Sequence, residues 1–128
     1  MIIKSFELKK LDKSKINLIL LYGENEGFKH SIIKDFFIKE FKGEIQRYEE
    51  DDVFTNYNEF ISNLLNKSFF NDKKILILSR TSEKILKLVE EIITKDLSDV
   101  KIIINSKSLD KKSKLRSFFE KKDKCACI

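Results

Sequence analysis

The sequence predicts an α/β fold: an open parallel sheet of about five strands flanked by helices. Three observations carry the prediction. Short, continuous apolar runs alternate with longer amphipathic stretches, each run ends in a turn-forming or polar residue, and the amphipathic stretches repeat at three- and four-residue steps. A sheet with one wet face would alternate polar and apolar residues, so continuous runs imply strands covered on both faces.

The elements follow in order. Ile16–Tyr22 ends at Gly23, Lys74–Leu78 at Ser79 and Val100–Ile104 at Asn105, giving three buried strands. Glu44–Tyr48 is a weaker strand and Cys125–Ile128 a candidate fifth. Between them, Phe28, Ile32, Ile33, Phe36, Phe37 and Phe41 form one helical stripe, with Gly43 as its stop. Phe60, Ile61, Leu64 and Leu65 form a second, and Ile85, Leu88, Val89, Ile92 and Ile93 a third, with Ser82 as its start. Asp110–Lys122 places Leu115, Phe118 and Phe119 on one face among lysines. The acidic run Glu49–Asp52 reads as a solvated loop.

The chain of 128 residues has the length of one domain, and 41% hydrophobic with 37% charged residues suits a globular fold. No apolar run approaches the ~20 residues of a membrane span, and nothing at the start reads as a signal peptide, so a cytoplasmic location is expected. The +5 net charge lies wholly between Lys107 and Lys124, where eight basic residues face three acidic ones; the other 18 of each sign balance. Lysine dominates, and its point charge lacks the planar fork with which arginine grips phosphate, so the charge alone is weak evidence for nucleic acid. Cys125 and Cys127 lack the spacing of a redox pair or a zinc site, and an apolar strand accounts for the Cys125–Ile128 match to a prenylation pattern. No metal or cofactor is expected.

In open parallel sheets, ligands bind beyond the carboxyl ends of the strands. After the first strand comes Gly23-Glu24-Asn25-Glu26-Gly27-Phe28-Lys29-His30. Against the phosphate-loop pattern G-x-x-x-x-G-K-[ST], Gly23 and Lys29 match, but Phe28 replaces the second glycine and His30 the magnesium-binding hydroxyl. Glu24 and Glu26 add charge that repels phosphate. Gly23, Gly27 and Lys29 therefore mark a degenerate loop without the chemistry of a nucleotide site. Ser79 and Arg80 end the Lys74–Leu78 strand where a hydrolase needs a carboxylate for magnesium, and a phosphoacceptor receiver domain would need an Asp after that strand. Asn105 and Ser106 read as turn formers, and His30 as an exposed helix residue.

Three collinear segments then resemble a family: Leu20–Gly27, Asn66–Lys74 and Ser108–Arg116 are similar to the N-terminal domain of the delta subunit of bacterial DNA polymerase III, the clamp-loader subunit that opens the sliding clamp. The resemblance implies a clamp-loader ATPase (AAA+)-like domain with a defunct nucleotide site, and an accessory role in DNA replication without catalysis of its own. It also implies that Ser68-Phe69-Phe70 is the clamp-binding element, with Phe69 in place of a leucine, Phe70 matching a phenylalanine, and Leu64 and Leu65 supporting. Other loader subunits would be met through a lid and collar absent from this chain, which is then the first part of a longer protein. Lys111, Lys112, Lys114 and Arg116 become candidate contacts to primed DNA or a neighbouring subunit. The residues alone give Phe69 a competing place, since it continues the Ile61, Leu65 line at four-residue spacing and would then be core. A receiver-like or nucleotide-binding signalling domain and a basic nucleic-acid-binding module are the alternatives.

Overall fold

The structure, a computed structural model, describes residues 2–12, 15–65, 73–95, 99–122 and 125–128. A 3₁₀ turn at Ser5–Lys10 precedes β1 (Leu18–Leu21), α1 (Glu26–Ile32), β2 (Glu44–Glu49), α2 (Glu50–Thr55), α3 (Tyr57–Leu65), β3 (Lys74–Thr81), α4 (Ile85–Ile92), β4 (Val100–Ser106), α5 (Lys114–Lys121) and the three-residue β5 (Cys125–Cys127). The strands are parallel and lie in the order β2-β3-β4-β1-β5, with β5 a short addition on the β1 edge. The fold is thus α/β, an open parallel sheet flanked by helices, as the apolar runs predict.

The continuous runs are buried on both faces because successive side chains point to opposite sides. Leu18, Leu20, Leu76, Leu78, Ile102 and Ile104 join one core, where Val53 of α2, Phe60 and Leu64 of α3, the α4 stripe, and Leu115 and Phe119 of α5 cover them. Ile19, Leu21, Ile75, Ile77 and Ile103 join the other, under Ile32 of α1, Ile33, Phe37 and the N-terminal Ile3, Leu11 and Ile16.

This distribution of helices follows from the strand order. The β1-to-β2 connection runs one way across the sheet, while β2-to-β3, β3-to-β4 and β4-to-β5 all run the other. Crossovers of one hand place helices on opposite faces when they run in opposite directions. Hence α1 stands on one face and α2–α5 on the other. Between β4 and β1 the two directions diverge, which opens a crevice at their carboxyl ends.

Several expected boundaries move. The Phe28–Phe41 stripe is α1 followed by a π-helical turn at Ile33–Ile38, and it ends before Gly43. At Gly43 a Cβ would lie 2.3 Å from the carbonyl oxygen of Lys73, so the close approach of two chain segments requires glycine there. The acidic run is not a solvated loop. Glu49 ends β2, Glu50–Asp52 open α2, and Asp52 accepts from the Glu49 amide in a capping box, where carboxylates suit the helix start. Strand β3 continues past Ser79 through an irregularity between Leu78 and Thr81, and β4 continues past Ile104, so Asn105 and Ser106 are strand residues and not turn formers. Helix α4 begins at Ile85, a turn later than Ser82 suggests, and α5 begins at Lys114, capped by the Ser113 side chain on the Arg116 amide.

Candidate functional site

The crevice at the carboxyl ends of β1 and β4 is where the fold favours a ligand, and the Gly23–Lys29 loop sits in it. Gly23 leaves β1 at φ +128°, a conformation that side-chain-bearing residues rarely adopt, and its amide donates to the Lys107 carbonyl at 3.3 Å. The loop is thereby fastened to the end of β4. Asn25 then caps α1, accepting from the Phe28 amide at 2.9 Å. Phe28 and His30 point outward and are exposed.

Lys29 does not reach into solvent as a phosphate-binding lysine would. Its side chain turns into the crevice, leaving the residue 4% exposed, and its ammonium donates to the Ser106 carbonyl at 2.5 Å and to Glu26 Oε1 at 2.7 Å. The charge is paired and hydrogen-bonded, the condition under which a buried ammonium is tolerated. Glu26 is mostly exposed. Its carboxyl is held below its ordinary value of 4.5, chiefly by the Lys29 hydrogen bond and charge, with contributions from the Asn105 side chain and the Lys107 charge that outweigh partial burial. Asn105 Oδ1 is buried and has no hydrogen-bond partner among the described residues.

The ends of β3 and β4 are joined by polar contacts in place of catalytic ones. Thr81 Oγ1 and Ser106 Oγ share a hydrogen bond, and Thr81 Oγ1 also donates to the Asn105 carbonyl at 3.1 Å. Arg80, at φ 53°, bulges outward and pairs with Glu49 at 3.6 Å. Glu50 is buried and accepts from the Ser82 amide at 3.0 Å and from its hydroxyl at 2.9 Å. Glu83 spans to α5, accepting from the Ser113 hydroxyl and, at 3.1 Å, from the Leu115 amide. These carboxylates fasten loops to helix starts. Among the described residues no group of His, Cys, Asp and Glu could hold a metal ion, and no helix is long and apolar enough to cross a membrane.

The basic segment divides into two kinds of residue. Lys107, Lys111, Lys112 and Lys114 are exposed beside the carboxyl end of β4. Arg116 is instead half-buried: it donates to Glu120 at 2.8 Å and to the Leu109 carbonyl at 3.1 Å, and its guanidinium lies over the Tyr22 ring at 5.0 Å. Its fork is used to lock α5 to the end of β1, which leaves the three lysines as the outward-facing members of the expected contact set.

Of the residues assigned to clamp binding, Leu64 is buried in the core at the end of α3. Leu65 closes that helix, and Ser68, Phe69 and Phe70 lie outside the described residues. No family model, curated protein or solved structure matches the chain. The geometry on its own describes a loop after β1 that is fastened by the Glu26–Lys29 ion pair and the Lys29–Ser106 bond.

Sequence reasoning located the loop but missed three features. The Glu26–Lys29 pair is legible in its i, i+3 spacing on a first helical turn. The Lys29–Ser106 bond and the Glu50–Ser82 contact join residues far apart in the chain, and local spacing carries no signal for them.

Proposed function

We propose that this chain is a non-catalytic interaction domain of the clamp-loader delta type, which binds a DNA polymerase sliding clamp and helps to open it through Phe69 and Phe70. The reading rests on the three collinear segments of resemblance. The observation that carries its non-catalytic part is the burial of Lys29 against Ser106 and Glu26. A lysine committed in this way is withdrawn from phosphate transfer, and Glu83, the carboxylate that follows β3, is engaged by the Ser113 hydroxyl and the Leu115 amide at the start of α5.

Two phenylalanines seated in a pocket would contribute about 1.5–3 kcal/mol each before the cost of association. Paired aromatics of this kind are typical binding hot spots.

The strand order weighs against the receiver reading, since 2-3-4-1-5 differs from the 2-1-3-4-5 order of flavodoxin-like and receiver sheets. Primed DNA remains a second partner within the same proposal, favoured by the exposed lysines at 107, 111, 112 and 114. Binding of the chain to a bacterial sliding clamp, with and without Phe69→Ala and Phe70→Ala, tests the reading.

A further inference from the structure

The stretch from Tyr48 to Leu65 holds five carboxylates and no lysine or arginine, in a chain where those two types make up 26 of 128 residues. It begins at the end of β2, the strand that forms one edge of the sheet, and continues through α2 and α3. Tyr48, Asp52, Asn56, Glu59, Phe60 and Asn63 line a cavity of about 450 Å³ there. Its floor is aromatic, with the Tyr48 and Phe60 rings meeting edge to face at 5.3 Å, and its exposed rim is made of the two carboxylates and two amides. Among the described residues no basic side chain pairs with Asp52 or Glu59.

The backbone of β2 supplies a second, independent feature. The Glu44 amide donates to the Lys73 carbonyl at 3.1 Å, so the amides and carbonyls of Glu44, Gln46 and Tyr48 point towards β3, and those of Ile45 and Arg47 point out of the sheet. The next outward amide, that of Glu49, is already taken by Asp52. An edge with unpaired backbone groups is a template for one more strand. Tyr48 packs on the same core as Phe60, and Ile45 on the other. A strand added along Ile45–Arg47 would lie about 4.8 Å from β2 and set every second side chain on the Tyr48 face, beside the cavity.

We infer that the β2 edge and this cavity form one docking site for an extended, basic segment of a partner protein, bonded through its backbone to Ile45 and Arg47 and placing an arginine side chain in the cavity. Charge complementarity fixes the class of partner, because the lining carries two carboxylates and no cation. A guanidinium suits this lining better than an ammonium does. Its plane stacks on the Tyr48 ring, its fork donates to Asp52 and Glu59, and its remaining N–H groups find the amide oxygens of Asn56 and Asn63. The Arg47 side chain belongs to the opposite face of β2 and leaves the cavity to the incoming cation. The inference does not rest on clamp binding, which turns on Phe69 and Phe70.

The experiment titrates the protein into a fluorescein-labelled octapeptide of alternating threonine and arginine, read by anisotropy, with a peptide carrying glutamate in place of arginine as the control. Binding of the basic peptide alone is expected, with Glu59→Lys lowering its affinity at least about 10-fold. Arg47→Pro removes an outward donor and keeps the β2–β3 ladder, so it should weaken binding by a similar factor, whereas Arg47→Ala should not. On addition of the peptide, amide exchange should slow at Ile45 and Arg47, a readout of strand addition that holds even should Arg47→Pro fail to fold. The Phe69→Ala, Phe70→Ala variant should bind the peptide as the wild type does, which separates this site from the clamp contact. Absence of binding, equal binding of the acidic peptide, indifference to Glu59→Lys, unchanged exchange at Ile45 and Arg47, or a dimer of the protein that already closes the β2 edge would overturn the inference.

Discussion

Lys29 donates a hydrogen bond to the backbone carbonyl of Ser106, tying the first turn of α1 to the last residue of β4 at 2.5 Å. The loop that precedes Lys29 follows β1, and its lysine serves the fold. Loss of the ammonium in Lys29→Met removes a charge-assisted bond to a buried carbonyl, a change of about 1.5–3 kcal/mol. For a domain of this size a loss of that order should lower Tm by roughly 5–15 °C. Urea unfolding monitored by circular dichroism checks it, and an unchanged midpoint would contradict the structural role.

Glu50 and Ser82 form the corresponding tie between α2 and the loop after β3. Glu50→Ala leaves the Ser82 amide without its acceptor and is expected to cost about 1–3 kcal/mol, with Ser82→Ala costing less because it keeps the amide bond. The two changes touch one contact, so their effects should be non-additive by at least about 0.5 kcal/mol in a double-mutant cycle. Strict additivity would show that the pair does not couple.

Much of the architecture was legible because burial on both faces leaves a simple mark. The runs at Leu18–Leu21, Ile75–Leu78 and Ile102–Ile104 are apolar without interruption since each residue faces one of two cores. What escaped was set by tertiary contact. Glu50 looks like one acid among four, and only the arrival of Ser82 from the loop after β3 makes it a buried anchor. Thr81 and Ser106 end runs that already seemed complete, and they extend β3 and β4 because they bond to each other. At the loop, His30 was legible as an exposed helix residue, but the inward turn of Lys29 depends on a carbonyl 77 positions away.

Acid should weaken the link at Glu26. Its folded-state pKa lies below the unfolded value of 4.5, so the pair contributes stability above that value and loses it as pH falls through the folded pKa. Glu26→Gln should therefore flatten the acid limb of the stability curve without altering its slope near neutral pH. Urea midpoints measured at intervals from neutral pH down to the acid transition test the sign; a steeper acid limb in the variant would contradict it.

The thiol of Cys125 is fully buried between β1 and α5, and burial pushes its pKa up from 9.0 to about 11. Thiolate is the reactive form, so Cys125 in a Cys127→Ser background should resist iodoacetamide at neutral pH and react once urea unfolds the chain. Mass spectrometry of the labelled protein reads the outcome. Equal labelling rates in the folded and unfolded chain would contradict the packing of β5.

Among the basic residues, the outward lysines and Arg116 should separate by assay. Replacing Lys111, Lys112 and Lys114 with alanine should weaken binding to primed DNA and flatten its salt dependence while leaving stability nearly unchanged. Arg116→Ala should mainly lower stability, since its guanidinium holds Leu109, Glu120 and the Tyr22 ring together. Filter binding across a salt series, paired with thermal unfolding, distinguishes the two. DNA affinity that does not vary with salt would remove DNA from the proposed partners.

The proposed function turns on Phe69 and Phe70. The most direct measurement is the affinity of this chain for a bacterial sliding clamp by titration calorimetry, with the Phe69→Ala, Phe70→Ala double variant alongside. Binding by the wild type and a loss of at least about 100-fold in the double variant, as two buried aromatic anchors require, is the expected result. A wild-type chain that does not bind, or a double variant that binds equally well, would contradict it.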